Sequence, residues 1–179
     1  MLKQSPAKRG DIGTVGKYGL GFNVVYHLAD VVSFISADRF VIFDPHGVHL
    51  PGGAEGMRYT LEEISNVAPD ALEPFAKAAQ ALGLDADSIA SGHFNGTLFR
   101  LPLRDAAAGE RSLLCHEALG EGAAGAHRAR LLLKEFASQA SDLIIFLQHV
   151  EAVGVFDLPY GEFILVGRLS FLWNNATKC

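Results

Sequence analysis

The part of the chain best suited to chemistry is a glycine-rich segment near its start. It runs from Gly13 to Asn23, and Gly16, Gly19 and Gly21 give it a G-x-x-G-x-G spacing. Glycine lets a backbone adopt positive φ and approach a ligand closely. Free N–H groups gathered before a helix bind anions, and the helix dipole adds to the attraction. Lys17 adds a positive charge, so the segment is predicted to bind phosphate.

Other glycine-loop families fit this segment less well. A P-loop needs a glycine five residues before the Gly-Lys pair and Ser or Thr after it, but Asp11 and Tyr18 occupy those positions. In a dinucleotide fingerprint beginning at Gly19, the third glycine would fall on Val24. A kinase glycine loop lies in a hairpin, whereas this segment precedes a helix. Spacing alone leaves one alternative open, an ordinary flexible loop whose glycines serve turns.

The elements that position the segment follow from hydrophobic periodicity. Leu20, Val24 and Leu28 recur at helical spacing, which predicts an amphipathic helix beginning near Gly19 or Gly21. Two runs rich in β-branched and aromatic residues predict a hairpin over residues 31–36 and 39–44. Beyond it we expect a loop over residues 45–60, a helix opened by a capping box of Thr60 and Glu63, a helix over about 70–82, a strand over 96–103, a helix over about 127–139, a helical turn or two over 142–148, and strands near 150–156 and 162–169.

Most of these strands follow one another through short turns, and the helices lie between groups of strands. That order predicts an α+β fold, a two-layer sandwich with a mainly antiparallel mixed sheet and helices on one face.

The glycine segment also belongs to a longer pattern that resembles the sacsin family. The family's repeats carry a Gly-[Arg/Lys]-aromatic-Gly-[Leu/Ile]-Gly-Phe-Asn stretch that runs on into Val-Tyr-His, and residues 16–31 are similar to it. The similarity continues at residues 34–36 and 41–46 and returns at 92–104, where the family has a "Gly-Thr-x-Phe-Arg-x-Pro-Leu-Arg" strand. A weaker match covers residues 143–153.

The resemblance implies a Bergerat-type ATP-binding fold, shared by gyrase, heat-shock chaperones, histidine kinases and MutL. It implies a partial ATP-binding domain over residues 1–169 with a lid loop at 10–21, followed by a tail at 170–179. Thr97 corresponds to the family threonine that helps to hold adenine, while Phe22 and Tyr26 are expected to pack the helix against the sheet. The implied nucleotide-binding residues are Gly16, Lys17, Tyr18, Gly19, Leu20, Gly21, Phe22 and Thr97.

The chain departs from the family pattern before the glycine segment. The family's general-base Glu, its magnesium-binding Asn and its Asp-x-Gly adenine segment all precede the lid, and residues 1–15 supply none of these elements. We treat Asp11-Ile12-Gly13 as a coincidence, because it lies within the lid region. The cofactor implied is ATP, with magnesium expected beside it but without its protein ligand. No catalytic residue is assigned, and hydrolysis by the chain alone is not expected.

The histidines offer a second kind of chemistry. His46 and His49 lie three residues apart in a loop near Asp44. A zinc site needs three or four ligands with defined geometry, and no further cluster lies close in sequence. We therefore expect structural or solvent-exposed histidines and no metal site.

Composition narrows the possible partners. The net charge is −5, from 15 basic and 20 acidic residues, without the basic cluster that nucleic-acid binding requires. Only two cysteines occur, and no apolar run approaches the roughly 20 residues of a membrane-spanning helix. We expect a cytoplasmic chaperone-type module that binds nucleotide, with client proteins or other domains as further partners and no nucleic acid or membrane partner. The alternative is a non-catalytic scaffold that no longer binds ATP.

Overall fold

A computed structural model describes residues 21–104, 106–114, 131–139, 142, 150–157 and 163–169. The chain divides into two compact units, residues 1–121 and residues 122–179. The predicted tail, residues 170–179, lies outside the described residues.

The first unit is built on a four-stranded antiparallel sheet. Its strands are β1 (Val32–Ala37), β2 (Arg39–Phe43), β3 (Gly56–Thr60) and β4 (Phe94–Arg100), in the spatial order β3-β2-β1-β4. The pairing of Ser36 with Arg39 leaves a two-residue turn between β1 and β2, so the predicted hairpin is confirmed.

The helices of the first unit lie mostly between β3 and β4. They are α1 (Leu61–Val67), a 3₁₀ turn (Pro69–Ala71), α2 (Glu73–Ala81) and α3 (Asp87–Ala90), and α4 (Ala106–Arg111) follows β4. Thr60 caps α1, because its hydroxyl accepts from the Glu63 backbone N–H at 3.0 Å while the Glu63 carboxylate accepts from the Thr60 N–H at 2.6 Å. The predicted capping box is confirmed.

The main core lies between the sheet and α1 to α3. Side chains alternate between the two faces of a strand, so Ile35 on β1 shares a face with its partners Phe40 and Leu98. The Phe40 ring meets the ring of Phe75 from α2 edge to face, with centroids 6.1 Å apart. The buried members of this core are Ile35, Phe40, Leu61, Ile64, Leu72, Phe75, Ala79, Ile89 and Phe94.

The opposite face of the sheet carries aromatic side chains. We call it the aromatic face and define it by the strand residues Phe34, Ser36, Phe43, Thr97 and Phe99, which the register places on one side. A 3₁₀ helix, Gly21–His27, lies against it, because the Phe22 ring is 5.9 Å from that of Phe43 and 6.1 Å from that of Phe99.

The described part of the second unit contains one helix and a two-stranded sheet. Residues 131–139 are helical, and the antiparallel strands are β5 (Val150–Asp157) and β6 (Phe163–Leu169). Both strands were predicted. Within the part of the chain that the structure describes, no helix has the length and apolar character needed to cross a membrane.

The α+β class and the antiparallel sheet with helices are confirmed. Several elements differ from prediction. β3 lies inside the segment expected to be a loop, and the short helices α3 and α4 were not predicted. The predicted helix over 70–82 is divided into a 3₁₀ turn and α2, because Pro69 and Pro74 each favour a helix start.

Candidate functional site

The segment that leads out of the glycine loop is a 3₁₀ helix of seven residues, Gly21–His27, instead of the predicted amphipathic α-helix. Val24 is 61% exposed, so the prediction that it belongs to a buried stripe of apolar residues four apart is wrong. Tyr26 is the buried residue of this helix, and Ala29, two residues beyond its end, is also buried. β-branched and aromatic residues favour α-helix weakly, and this short segment is rich in both.

Two of the predicted glycine-loop residues lie in the described part of the chain. Gly21 begins the 3₁₀ helix, and a Cβ added at Gly21 would meet no atom within 4 Å. Packing in the described residues therefore does not require glycine at this position. Phe22 follows it, is 37% exposed, and packs on the aromatic face as expected. The other predicted loop residues, Gly16, Lys17, Tyr18, Gly19 and Leu20, lie outside the described residues.

Thr97 lies on β4, two residues before Phe99 on the same face. Its hydroxyl forms a hydrogen bond of 2.8 Å with the hydroxyl of Ser36 on the neighbouring strand β1, and both groups are exposed. One hydroxyl of the pair donates to the other, which leaves one O–H and several lone pairs available to a ligand. The structure therefore places Thr97 and Phe22 on the same face of the sheet.

The rings of the aromatic face form a continuous cluster. Phe34 contacts Phe99 at a centroid distance of 4.9 Å and Phe43 at 6.1 Å. Phe22 meets the ring of Tyr26 edge to face at 6.2 Å. Phe99 remains 51% exposed, so the cluster presents an apolar surface beside the Ser36–Thr97 hydroxyl pair.

A buried arginine joins the 3₁₀ helix to the chain that follows β4. The Arg104 side chain is 0% exposed. Its guanidinium donates to the Tyr26 carbonyl at 2.9 Å and to the His27 carbonyl at 3.1 Å, and its backbone N–H donates to the Leu28 carbonyl at 3.1 Å. The last carbonyls of a helix lack intrahelical partners, so Arg104 caps the helix C-terminus.

Asp30 is the counter-ion of this arginine. Its Oδ1 accepts from Arg104 Nε at 2.9 Å, from Arg104 Nη2 at 2.8 Å and from the Ser112 hydroxyl at 2.6 Å. Burial alone would raise the pKa of Asp30, but the hydrogen bonds from Arg104 and Ser112 and the arginine's charge outweigh burial and lower that pKa below its ordinary value of 3.8. The carboxylate is therefore held in its charged form.

The buried carboxylate of Asp44 organises the loop after β2. Asp44 is 1% exposed, and its carboxylate accepts from the backbone N–H groups of His49 at 2.5 Å and Leu50 at 3.0 Å. Among the described residues, the buried Tyr26 hydroxyl has no hydrogen-bond partner. Burial, with a smaller contribution from the Asp44 charge, raises the pKa of Tyr26 above its ordinary range.

A cavity of about 110 Å³ lies between this loop and the segment after α4. Its lining residues are Asp30, Asp44, His46, Val48, His49, Arg111, Ser112, Leu113 and Leu114. Among the described residues, no three His, Cys, Asp or Glu side chains are grouped so that they could hold a metal.

Sequence reasoning missed the Asp30–Arg104 pair, the main polar feature of this region. The two residues are 74 positions apart, and no local spacing rule signals a pair at that separation. The available signal was weak: Asp30 precedes an apolar strand, and Arg104 ends the quoted family-like strand segment.

Comparison with known proteins shows which family the chain resembles. The model of the Sacsin domain matches residues 4–163 of the chain. Human Sacsin is 28% identical over 149 residues, which cover 83% of this chain and 3% of human Sacsin. The chain thus spans a small fraction of the length of that relative.

Proposed function

The chain belongs to the sacsin domain family, and on that premise we propose that it binds ATP on the aromatic face of its first unit. The backbone amides of Gly16 to Gly21 would donate to the phosphates, with Lys17 adding charge, and Thr97 would contact the adenine side. Bound ATP supplies a polyphosphate and a base that the two ends of the site recognise separately.

One observation carries this proposal: the glycine segment runs directly into a helix that lies on the same sheet face as Thr97. A site that binds the phosphates at one end and the base at the other requires the residues of both ends to lie on the same face of the sheet. The open space at Gly21 also fits, because a ligand can approach the backbone there without displacing protein atoms.

The proposed activity is binding that links nucleotide state to conformation in a chaperone-type, cytoplasmic setting, without hydrolysis by this chain alone. Hydrolysis needs a positioned water, a base and a metal. The residues before Gly16 do not contain the family's general base or metal-binding Asn.

A thermal-shift titration with ADP and ATP, with and without magnesium, tests the proposal. A ligand at 100 times its dissociation constant stabilises the folded state by about 2.7 kcal/mol. Inorganic tripolyphosphate and adenosine, titrated separately, measure the phosphate and base contributions. The absence of any shift at millimolar nucleotide would remove ATP binding as the function.

A second candidate function is a protein-interaction scaffold. On the aromatic face and the helix over it, Phe99 is 51% exposed, Phe22 37% and Val24 61%. Exposed apolar side chains that lie together, as Phe22 and Phe99 do at a ring-centroid distance of 6.1 Å, are typical of interaction sites. A folded chain that binds no nucleotide, together with client binding that Phe99→Ser abolishes, would favour the scaffold over the nucleotide module.

A further inference from the structure

The 3₁₀ helix Gly21–His27 connects the two ends of the proposed nucleotide site, so its placement over the sheet matters. At its N-terminal end it continues the glycine segment, and Phe22 rests on Phe43 and Phe99. These ring contacts leave Phe22 37% exposed. Such partial, non-directional packing does not by itself fix the height or rotation of a short helix on a sheet.

Directional contacts are concentrated at the other end of the helix. Arg104 donates from its side chain or backbone to the carbonyls of Tyr26, His27 and Leu28, at 2.9, 3.1 and 3.1 Å. An arginine guanidinium is planar and presents its donors in a fixed geometry, so its bonds to two successive carbonyls, with the backbone bond to Leu28, define the helix position closely.

The arginine is itself held in place. Asp30 accepts from two of its nitrogens, and Ser112 donates to the same carboxylate oxygen at 2.6 Å. The Ser112 hydroxyl in turn accepts from the Leu114 backbone N–H at 3.1 Å. The Arg104 side chain is fully buried and that of Asp30 is 14% exposed, so water competes little for these bonds.

Arg104 also lies on the segment of chain that continues strand β4. It follows β4, the strand that carries Thr97, by four residues. A single side chain therefore ties the helix that continues the glycine segment to the polypeptide that continues the Thr97 strand.

We infer that Arg104, with Asp30 as its counter-ion, is a positioning residue of the nucleotide site and sets the separation between Thr97 and the helix that begins at Gly21. This inference rests on the proposed ATP-binding function. Arg104 contacts no ligand in this role. It acts through the helix Gly21–His27.

The test compares Arg104→Lys with Arg100→Lys, an exposed arginine at the end of β4. Lysine keeps the charge and the backbone N–H that donates to Leu28, but its ammonium cannot reproduce the geometry in which the guanidinium donates to two carbonyls and a carboxylate at once. Isothermal titration measures ATP and tripolyphosphate affinity for each variant. We expect Arg104→Lys to weaken ATP binding at least tenfold and tripolyphosphate binding much less, because only ATP spans both ends of the site. Arg100→Lys should leave both affinities unchanged.

A second readout follows the helix directly. Nitroxide labels at Val24→Cys, 61% exposed, and at exposed Asn95→Cys on β4 report the helix-to-strand distance, after Cys115 and Cys179 are replaced by serine. The distance distribution should widen in Arg104→Lys while circular dichroism shows a folded chain. If Arg104→Lys does not fold, Ser112→Ala removes one bond of the network and should cause a smaller change in the same direction.

The outcomes separate cleanly. Equal loss of affinity for ATP and tripolyphosphate would show a general stability effect and overturn the inference, as would an unchanged distance distribution. If the unaltered chain binds neither ligand, the proposed function fails and Arg104 has no nucleotide site to position. The label distances then still decide whether Arg104 places the helix.

Discussion

At the residue scale, Gly21 offers the sharpest separation of function from stability. Because a Cβ there meets open space, Gly21→Ala should leave the free energy of unfolding unchanged or raise it by up to about 1 kcal/mol. The same methyl group would occupy the approach to the backbone, so we expect ATP affinity to fall about tenfold or more. Titration calorimetry alongside thermal unfolding measures both. Val24→Ala, on the same helix, is the control, and full ATP affinity in Gly21→Ala would argue against a ligand at this backbone.

Thr97 and Ser36 form a matched pair for testing the base end of the site. Thr97→Val keeps the shape of the side chain but removes the hydroxyl. We expect it to weaken ATP binding about tenfold, which corresponds to the net free energy of one hydrogen bond. Ser36→Ala breaks the same 2.8 Å hydrogen bond and leaves Thr97 free to rotate toward a ligand. Adenosine titration should therefore distinguish the two variants. Equal effects would show that the pair matters only to the strands.

Sequence patterns predicted some of the residues of the candidate site and missed others. The glycine spacing and Thr97 could be singled out because they stand in local patterns that the family resemblance extends. Arg104 and Asp30 could not, since their partnership exists only once β4 has been placed beside β1. The side chains of Phe22 and Tyr26 were placed correctly, but the helix that carries them has the 3₁₀ repeat.

At the scale of elements, the capping box at α1 provides a local stability prediction. Thr60→Ala removes the acceptor for the Glu63 N–H, and we expect it to lower the free energy of unfolding by about 1 kcal/mol. Chemical denaturation measures the change. The exposed Ser65 on the same helix is the control, because Ser65→Ala should raise stability by a few tenths of a kcal/mol through helix propensity. A loss as large in Ser65→Ala would contradict the capping role.

Elements whose signals are local were predicted well. The β1–β2 hairpin, α1 and the strands β5 and β6 each have a clear run of strand-forming residues or a capping pattern. β3 was missed because its sequence, Gly-Met-Arg-Tyr-Thr, follows a stretch rich in glycine and proline and becomes a strand by pairing with β2. Such tertiary pairing is invisible to a local pattern.

At the scale of the whole molecule, the buried ion pair makes stability depend on pH. The pKa of Asp30 is lower in the folded state than its ordinary value of 3.8, so its contribution is fully present above about pH 4 and is lost as the pH falls through the folded-state pKa. We expect Asp30→Asn to lower stability at pH 7 by about 3 kcal/mol, because the buried Arg104 charge loses its ion pair with the Asp30 carboxylate.

Denaturation between pH 2 and pH 7 measures this dependence. The Asp30→Asn variant should lose less stability than the unaltered chain on acidification, so the two curves converge at low pH. Asp70→Asn, which changes an exposed carboxylate, is the control. Parallel curves for Asp30→Asn and the unaltered chain would contradict the lowered pKa.

The order of strands in the sheet also has a kinetic consequence. β1 and β4 are neighbours, yet Ser36 and Thr97 are 61 residues apart in sequence, whereas β1, β2 and β3 are paired through closer partners. Long-range pairing must overcome the entropy of closing a large loop before its contacts repay that loss. The β1–β3 meander should therefore assemble early and β4 dock late. During synthesis, the surface that Thr97 completes would be among the last parts of this sheet to form.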